Sequence, residues 1–130
     1  IIGSLGGLAL GGPIGAIAGG LVGGLAGSFC VIHEASYGRN SFEVAIARQF
    51  RDQVLTPAQL RGYYGYYPAV ALKMHKDAVY CRYVRMELVD RLIRVGAQQL
   101  RIRYPLPSAQ DRQVAAAFLR QLTLLGEERN

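Results

Sequence analysis

The chain has 130 residues, long enough for one ordinary domain or for a small domain with an appendage, and carries 15 Lys and Arg against nine Asp and Glu. All 24 of those charges lie from Glu34 onward, so the net +6 belongs to that part alone and the chain reads as two segments built for different solvents. Two cysteines exclude a disulfide framework while leaving a single Cys30–Cys81 bridge open, and the basic balance points to anionic partners, either nucleic acid or phospholipid headgroups.

The first segment is a glycine register. Gly3, Gly7, Gly11, Gly15, Gly19, Gly23 and Gly27 stand four apart, giving six overlapping Gly-x-x-x-Gly units among Leu, Ile, Ala and Val. Four-residue spacing keeps small residues near one helix face and lets a second backbone approach closely. In water eleven glycines among the first 29 residues make an isolated helix untenable, since each costs about 1 kcal/mol relative to Ala. In hydrocarbon, unpaired backbone groups cost more still, and helicity returns. Pro13 predicts either one span kinked near Gly11-Gly12 or a short arm followed by a helix over Pro13–Phe29. Four residues turn about 400°, so the stripe drifts about 40° per step. Neighbours on both sides, as in a ring, would cover such a stripe better than one partner. Residues 1–29 therefore read as a glycine-zipper helix, transmembrane or oligomer-packing; a helix buried in a larger assembly and a Gly-rich linker are the alternatives.

The chain opens on Ile1-Ile2 with no initiator Met and no basic n-region, which reads as a processed N-terminus or part of a larger product. Leu25-Ala26-Gly27 approaches a lipoprotein cleavage box, but Ser28 and Phe29 separate it from Cys30.

Residues 30–130 read as a basic helical domain, a small bundle of about four helices, making the chain all-α. Asn40 with Glu43 predicts a capping box ahead of a helix over Phe42–Leu55, with Ile46, Phe50 and Val54 at helical spacing. Thr56-Pro57 with Gln59 starts a second helix, expected to stop near Gly62. Pro68 opens a third, running to about Val95 with Leu72, Val79, Val84, Leu88, Leu92 and Val95 apolar and Gly96 as its stop. Arg101–Pro107 reads as extended, Leu100–Tyr104 being the one strand candidate. Ser108 with Asp111 caps a last helix, striped by Val114, Phe118, Leu122 and Leu125 and ended by Gly126.

The stretch Cys30-Val31-Ile32-His33-Glu34-Ala35-Ser36-Tyr37-Gly38 resembles the CFI-box, whose usual form is Cys-Phe-Ile-Ala-Thr-Ala-x-Tyr-Gly. Glu43-Val44, Arg48-Gln49-Phe50-Arg51-Asp52, Leu55, Gly62, Tyr66-Tyr67-Pro68 and Ala71 follow in an order similar to that family's. The resemblance covers Cys30–Lys76 and departs at Val31, His33 and Glu34. Its motif positions here are Cys30, Ile32, Tyr37, Gly38, Phe50, Arg51, Asp52, Tyr66 and Tyr67. It implies a small helical module of bacterial or bacteriophage origin and no reaction.

Candidate chemistry is sparse. Cys30-x-x-His33 with His75 and Cys81 supplies Cys2His2 donors at loose spacing, and a buried free Cys30 is the plainer reading. No third group orients a histidine and no Gly-rich oxyanion turn follows either cysteine. The expectation is no catalytic residue, no metal and no cofactor. Tyr63, Tyr64, Tyr66 and Tyr67 read as core and capping structure, as a membrane-interface belt, or as a stacking platform for bases. Lys73, Lys76, Arg82, Arg85, Arg91 and Arg94 spread around the third helix as a solvated face or as phosphate contacts, with Arg82, Arg85 and Arg94 the candidates to face DNA backbone or headgroups.

The composite expectation is a membrane-inserting, homo-oligomeric structural protein. The layout resembles bacteriophage ejection proteins, which are packaged in the virion and then form a channel for DNA through the host envelope. Its partners would be the lipid bilayer, DNA backbone and other virion or envelope proteins. The alternatives are a bacterial envelope protein anchored in a membrane by its zipper and a soluble assembly component whose zipper meets only protein.

Overall fold

The computed structural model describes residues 30–128, which are helical and contain no strand. Residues 1–29, which carry the expected zipper helix and Gly3, Gly7, Gly11, Gly15, Gly19, Gly23 and Gly27, lie outside the described residues. The helices are α1 (Val31–Tyr37), α2 (Phe42–Gln53), α3 (Pro57–Lys76), α4 (Ala78–Val84), α5 (Asp90–Gln99) and α6 (Ala109–Glu128). A π-helical turn, Arg85–Val89, joins α4 to α5 without a break, so the described residues form five rods rather than the four expected.

Caps account for most of the starts. Thr56 accepts from the Gln59 N–H at 3.2 Å, and the Gln59 side chain accepts from the Thr56 N–H at 2.9 Å, a reciprocal box at the start expected from the sequence. Ser108 and Asp111 do the same for α6, at 3.0 and 2.9 Å. The α2 cap falls one residue later than the Asn40 expected: Ser41 Oγ accepts from Val44 N–H at 3.1 Å and Asn40 is exposed. Gly38, at φ +83°, makes the turn out of α1, a conformation that costs glycine least.

The three glycines expected to stop helices lie inside them. Gly62 sits in α3 and Gly126 in α6, where the two longest helices cross. A Cβ on Gly62 would run into the Leu122 carbonyl oxygen, and one on Gly126 into the Ala58 carbonyl. Gly96 receives the Phe50 ring, 3.3 Å from where a Cβ would stand. The end of α5 comes later, at Arg101, which takes the left-handed conformation at φ 59°. There Ile102 N–H donates to Ala97 at 2.8 Å and Arg101 N–H to Gln98 at 3.1 Å, the paired bonds of a Schellman close. Residues from there to Pro107 are irregular, not a strand.

Pro68 does not open a helix either. It is buried within α3, which runs through because its apolar residues are needed on both sides: Tyr63 and Tyr67 before it, Val70 and Met74 after it. Burial of these four outweighs the roughly 3 kcal/mol that an interior proline costs. The actual break is at Asp77, whose carboxylate accepts from Tyr80 N–H at 3.0 Å and caps α4. That restart moves Val79 out of the expected core stripe; it is 78% exposed.

One core joins all the rods. Ile32 of α1, Ile46 of α2, Tyr67 and Val70 of α3, Val84, Leu88 and Val89 around the π turn, Ile93 of α5 and Leu122 of α6 are fully or almost fully buried. The widened turn lets the adjacent Leu88 and Val89 both face inward.

Candidate functional site

The tyrosine cluster is divided by the helix period. Tyr63 and Tyr67 turn inward and stack at 5.4 Å between centroids, with Phe118 edge-on to both. Tyr67 donates to Gln121 Oε1 at 2.7 Å, and Tyr63 Oη accepts from Ile32 N–H at 3.3 Å. Burial raises both phenols well above their ordinary range. These two rings are occupied by the core and have no free face for a base or a headgroup. Tyr64 and Tyr66 are half-buried.

Most of the residues quoted for the CFI-box resemblance pack in the core or between helices, while Gly38 and Asp52 are exposed. Cys30 is buried at the head of α1 and Ile32 is in the core. Tyr37 donates to the Asp90 carboxylate across to α5, and burial followed by that bond raises its phenol. Phe50 covers Gly96, Arg51 binds the exposed Asp52 at 2.7 Å, and Tyr66 lies against Tyr67 at 5.0 Å.

Cys30, His33, Ile46, Phe50, Arg51, Tyr63, Gly96 and Phe118 are among the residues lining a cavity of about 60 Å3. Small-molecule sites run to roughly 300–1,000 Å3, so this is a void in the packing, with apolar walls. His33 Nδ1 is buried without a hydrogen-bond partner, and burial lowers the imidazole to about 4. Burial also pushes the Cys30 thiol up to about 11. At neutral pH the cysteine is a thiol and the histidine is uncharged, so the pair is not poised as an activated nucleophile. Cys30 and Cys81 are both free thiols, and His75 is exposed at the end of α3. Among the described residues no three His, Cys, Asp or Glu side chains gather to hold a metal.

The cations proposed for phosphate contact separate into two groups. Arg94 is committed to the buried Asp111 at 2.8 Å, where Arg91 also binds at 3.2 Å while reaching Glu87 at 3.5 Å. The Arg94 guanidinium holds the Asp111 carboxyl down to about 2, helped by the Ser108 N–H. Arg94 thus locks α5 to the start of α6 rather than facing a ligand. Arg82 is exposed and Arg85 half-buried, and neither makes an ion pair among the described residues.

Sequence reasoning missed two features. The sequence marks Asp111 only as a cap, and no local signal pairs it with arginines 17 and 20 residues away. The second is an outward apolar face along α4 and the π turn, formed by Val79, Tyr83 and Met86, which are 78%, 38% and 54% exposed. Their spacing of four and then three is a readable signal, but the expected core stripe takes in Val79 and leaves Tyr83 and Met86 unassigned. Among the described residues no helix is long and apolar enough to cross a membrane. Comparison with known proteins finds no family model, no curated protein and no solved structure that matches the chain.

Proposed function

We propose that this chain is a structural protein that inserts its uncharged N-terminal segment into a bilayer, self-associates through the glycine register and holds residues 30–128 as a helical collar at the membrane surface. The observation that carries the reading is the partition of the sequence: 33 residues without an Asp, Glu, Lys or Arg, bearing seven glycines four apart, precede every charge in the chain. The interior of the collar supports a scaffold more than a catalyst. Its buried Cys30 and His33 are both uncharged at neutral pH, and its buried carboxylate, Asp111, is bound by two arginines.

The setting we propose is a bacteriophage virion protein of the ejection class, acting in the host envelope; a bacterial envelope protein is the alternative. The commitment of Arg94 to Asp111 weighs against a lumen of arginines contacting DNA and favours the scaffold part of the reading. Arg82 and Arg85 are the cations left for such a role.

Flotation with neutral phosphatidylcholine liposomes tests the anchor. The full chain should float and residues 30–130 should not; equal flotation of both would remove the N-terminal segment as anchor. Gly15, Gly19 and Gly23 changed together to Leu should abolish the crosslinked oligomer, and an unchanged oligomer would remove the zipper as the self-association element.

A further inference from the structure

The helix α4 is apolar on two opposite sides, and the fold uses one. Val84 is fully buried, and Cys81 faces α1, its Sγ 3.7 Å from the Ala35 carbonyl oxygen. On the other side Val79 and Tyr83 lie about 40° apart at 100° per residue, and Met86, in the π turn that follows, is exposed like them. They form a row in solvent.

Most of the charge flanking that row is basic, and the acid next to Met86, Glu87, is paired with Arg91 at 3.5 Å. Between Lys73 and Met86 stand Lys73, Lys76, Arg82 and Arg85 against a single carboxylate, Asp77, which is used as the α4 cap. Lys73 rests over the Tyr80 ring at 4.3 Å. Lys76 and Arg82 are exposed and make no ion pair among the described residues. An apolar row with cations beside it is the pattern of a helix lying in a bilayer interface, aliphatic groups at the acyl boundary and cations among anionic headgroups. A phosphate backbone would reward the cations but not Val79 and Met86, which a bilayer rewards as well.

We propose that the outer face of α4 and the π turn, Val79, Tyr83 and Met86, with Arg82 and with Lys76 at the end of α3, docks on an anionic phospholipid surface. This deepens the membrane reading above and rests on it.

The chain has no tryptophan, so Tyr83→Trp gives a unique reporter on this face. Full-length protein is mixed with vesicles carrying acyl-chain-brominated phosphatidylcholine, with or without phosphatidylserine. Bound protein is separated by flotation. With phosphatidylserine the reporter should shift to the blue and lose about half its emission to bromine. In neutral vesicles, or after Lys76→Glu with Arg82→Glu, the bound protein should show little quenching. A Leu124→Trp reporter, on α6 and 63% exposed, should stay unquenched throughout.

A chain that floats with anionic vesicles while the position-83 reporter stays unquenched overturns the docking face and leaves the anchor standing. A chain that does not float at all overturns both. A blue shift produced by duplex DNA alone, or by raising protein concentration without lipid, together with no quenching on anionic vesicles, assigns the face to nucleic acid or to a second copy and overturns the lipid reading.

Discussion

The crossing of α3 and α6 makes a sharp energetic prediction at Gly126. Replacing it with Ala adds one methyl group directed at the Ala58 carbonyl of the facing helix. A side chain in that place could rotate aside, but a backbone carbonyl fixed in a helix cannot, so the rods must separate. Separation loosens Tyr63 and Tyr67 against Phe118 and Leu122, the largest buried groups at the crossing. Overpacking costs about 1–3 kcal/mol, and here the upper end applies because the obstacle is backbone. Ala gains about 1 kcal/mol over Gly in helix propensity. The net loss is about 2 kcal/mol, or roughly 8–16 °C in Tm for a domain of this size. Gly62→Ala should cost a similar amount, and the double variant should cost less than the sum, since one separation accommodates both methyls. Gly96→Ala is the control. Its methyl meets a Phe50 ring 3.3 Å away that can tilt, so it should stay within about 1 kcal/mol of wild type. Thermal unfolding of the full chain in detergent, followed by far-ultraviolet circular dichroism, reads all four variants. If Gly126→Ala melts at or above wild type, the close approach of the helices is refuted.

Four other outcomes are expected. Asp111→Asn leaves Arg91 and Arg94 without their shared carboxylate and should cost about 3 kcal/mol in urea unfolding at pH 7; in the wild type this contribution should fade as pH falls from about 4 to about 2, because the folded carboxyl titrates below its usual 3.8. His33 titrates at about 4 in the fold against 6.5 ordinarily, so only the unfolded chain takes up the proton between those values. Stability should therefore drop by about 2 kcal/mol from pH 7 to pH 5, and His33→Leu should flatten that slope in paired urea titrations. Ser41→Ala should cost about 1 kcal/mol while Asn40→Ala is close to neutral, measured by the same unfolding curves. Arg101→Gly should raise stability by about 1 kcal/mol, because the position is left-handed and glycine relieves it; an unchanged or lowered midpoint would count against that geometry.

Local signals that complete themselves within a few residues were legible. Thr56 with Gln59, and Ser108 with Asp111, could be read because both partners of each cap lie three positions apart. At α2 two cap-forming residues stand side by side, and only the geometry shows that Ser41, not Asn40, accepts the bond. Gly62, Gly96 and Gly126 were illegible for a different reason. A glycine that ends a helix and one that admits a neighbour look alike until the neighbour is known, and the neighbours here are Leu122, Phe50 and Ala58. Pro68 misleads similarly, since a buried proline inside a helix is sustained by contacts distant in sequence. The outward α4 face depended on the break at Asp77. A stripe carried unbroken from Pro68 to Val95 places Val79 inside, whereas the restart turns it to solvent.

The pairing of α3 with α6 also sets the order in which the chain can be completed. The aromatic surface of α3 is finished when Lys76 is joined, but its cover, Phe118 and Leu122, is made last among the core residues. From position 76 to 118 is 42 residues, about two to eight seconds of synthesis at roughly 5–20 residues per second. For that interval Tyr63 and Tyr67 lack their lid, and a nascent chain stalled before α6 exposes a sticky aromatic strip. Closure then joins segments some sixty positions apart, a long-range step that slows folding more than the helical content alone would suggest.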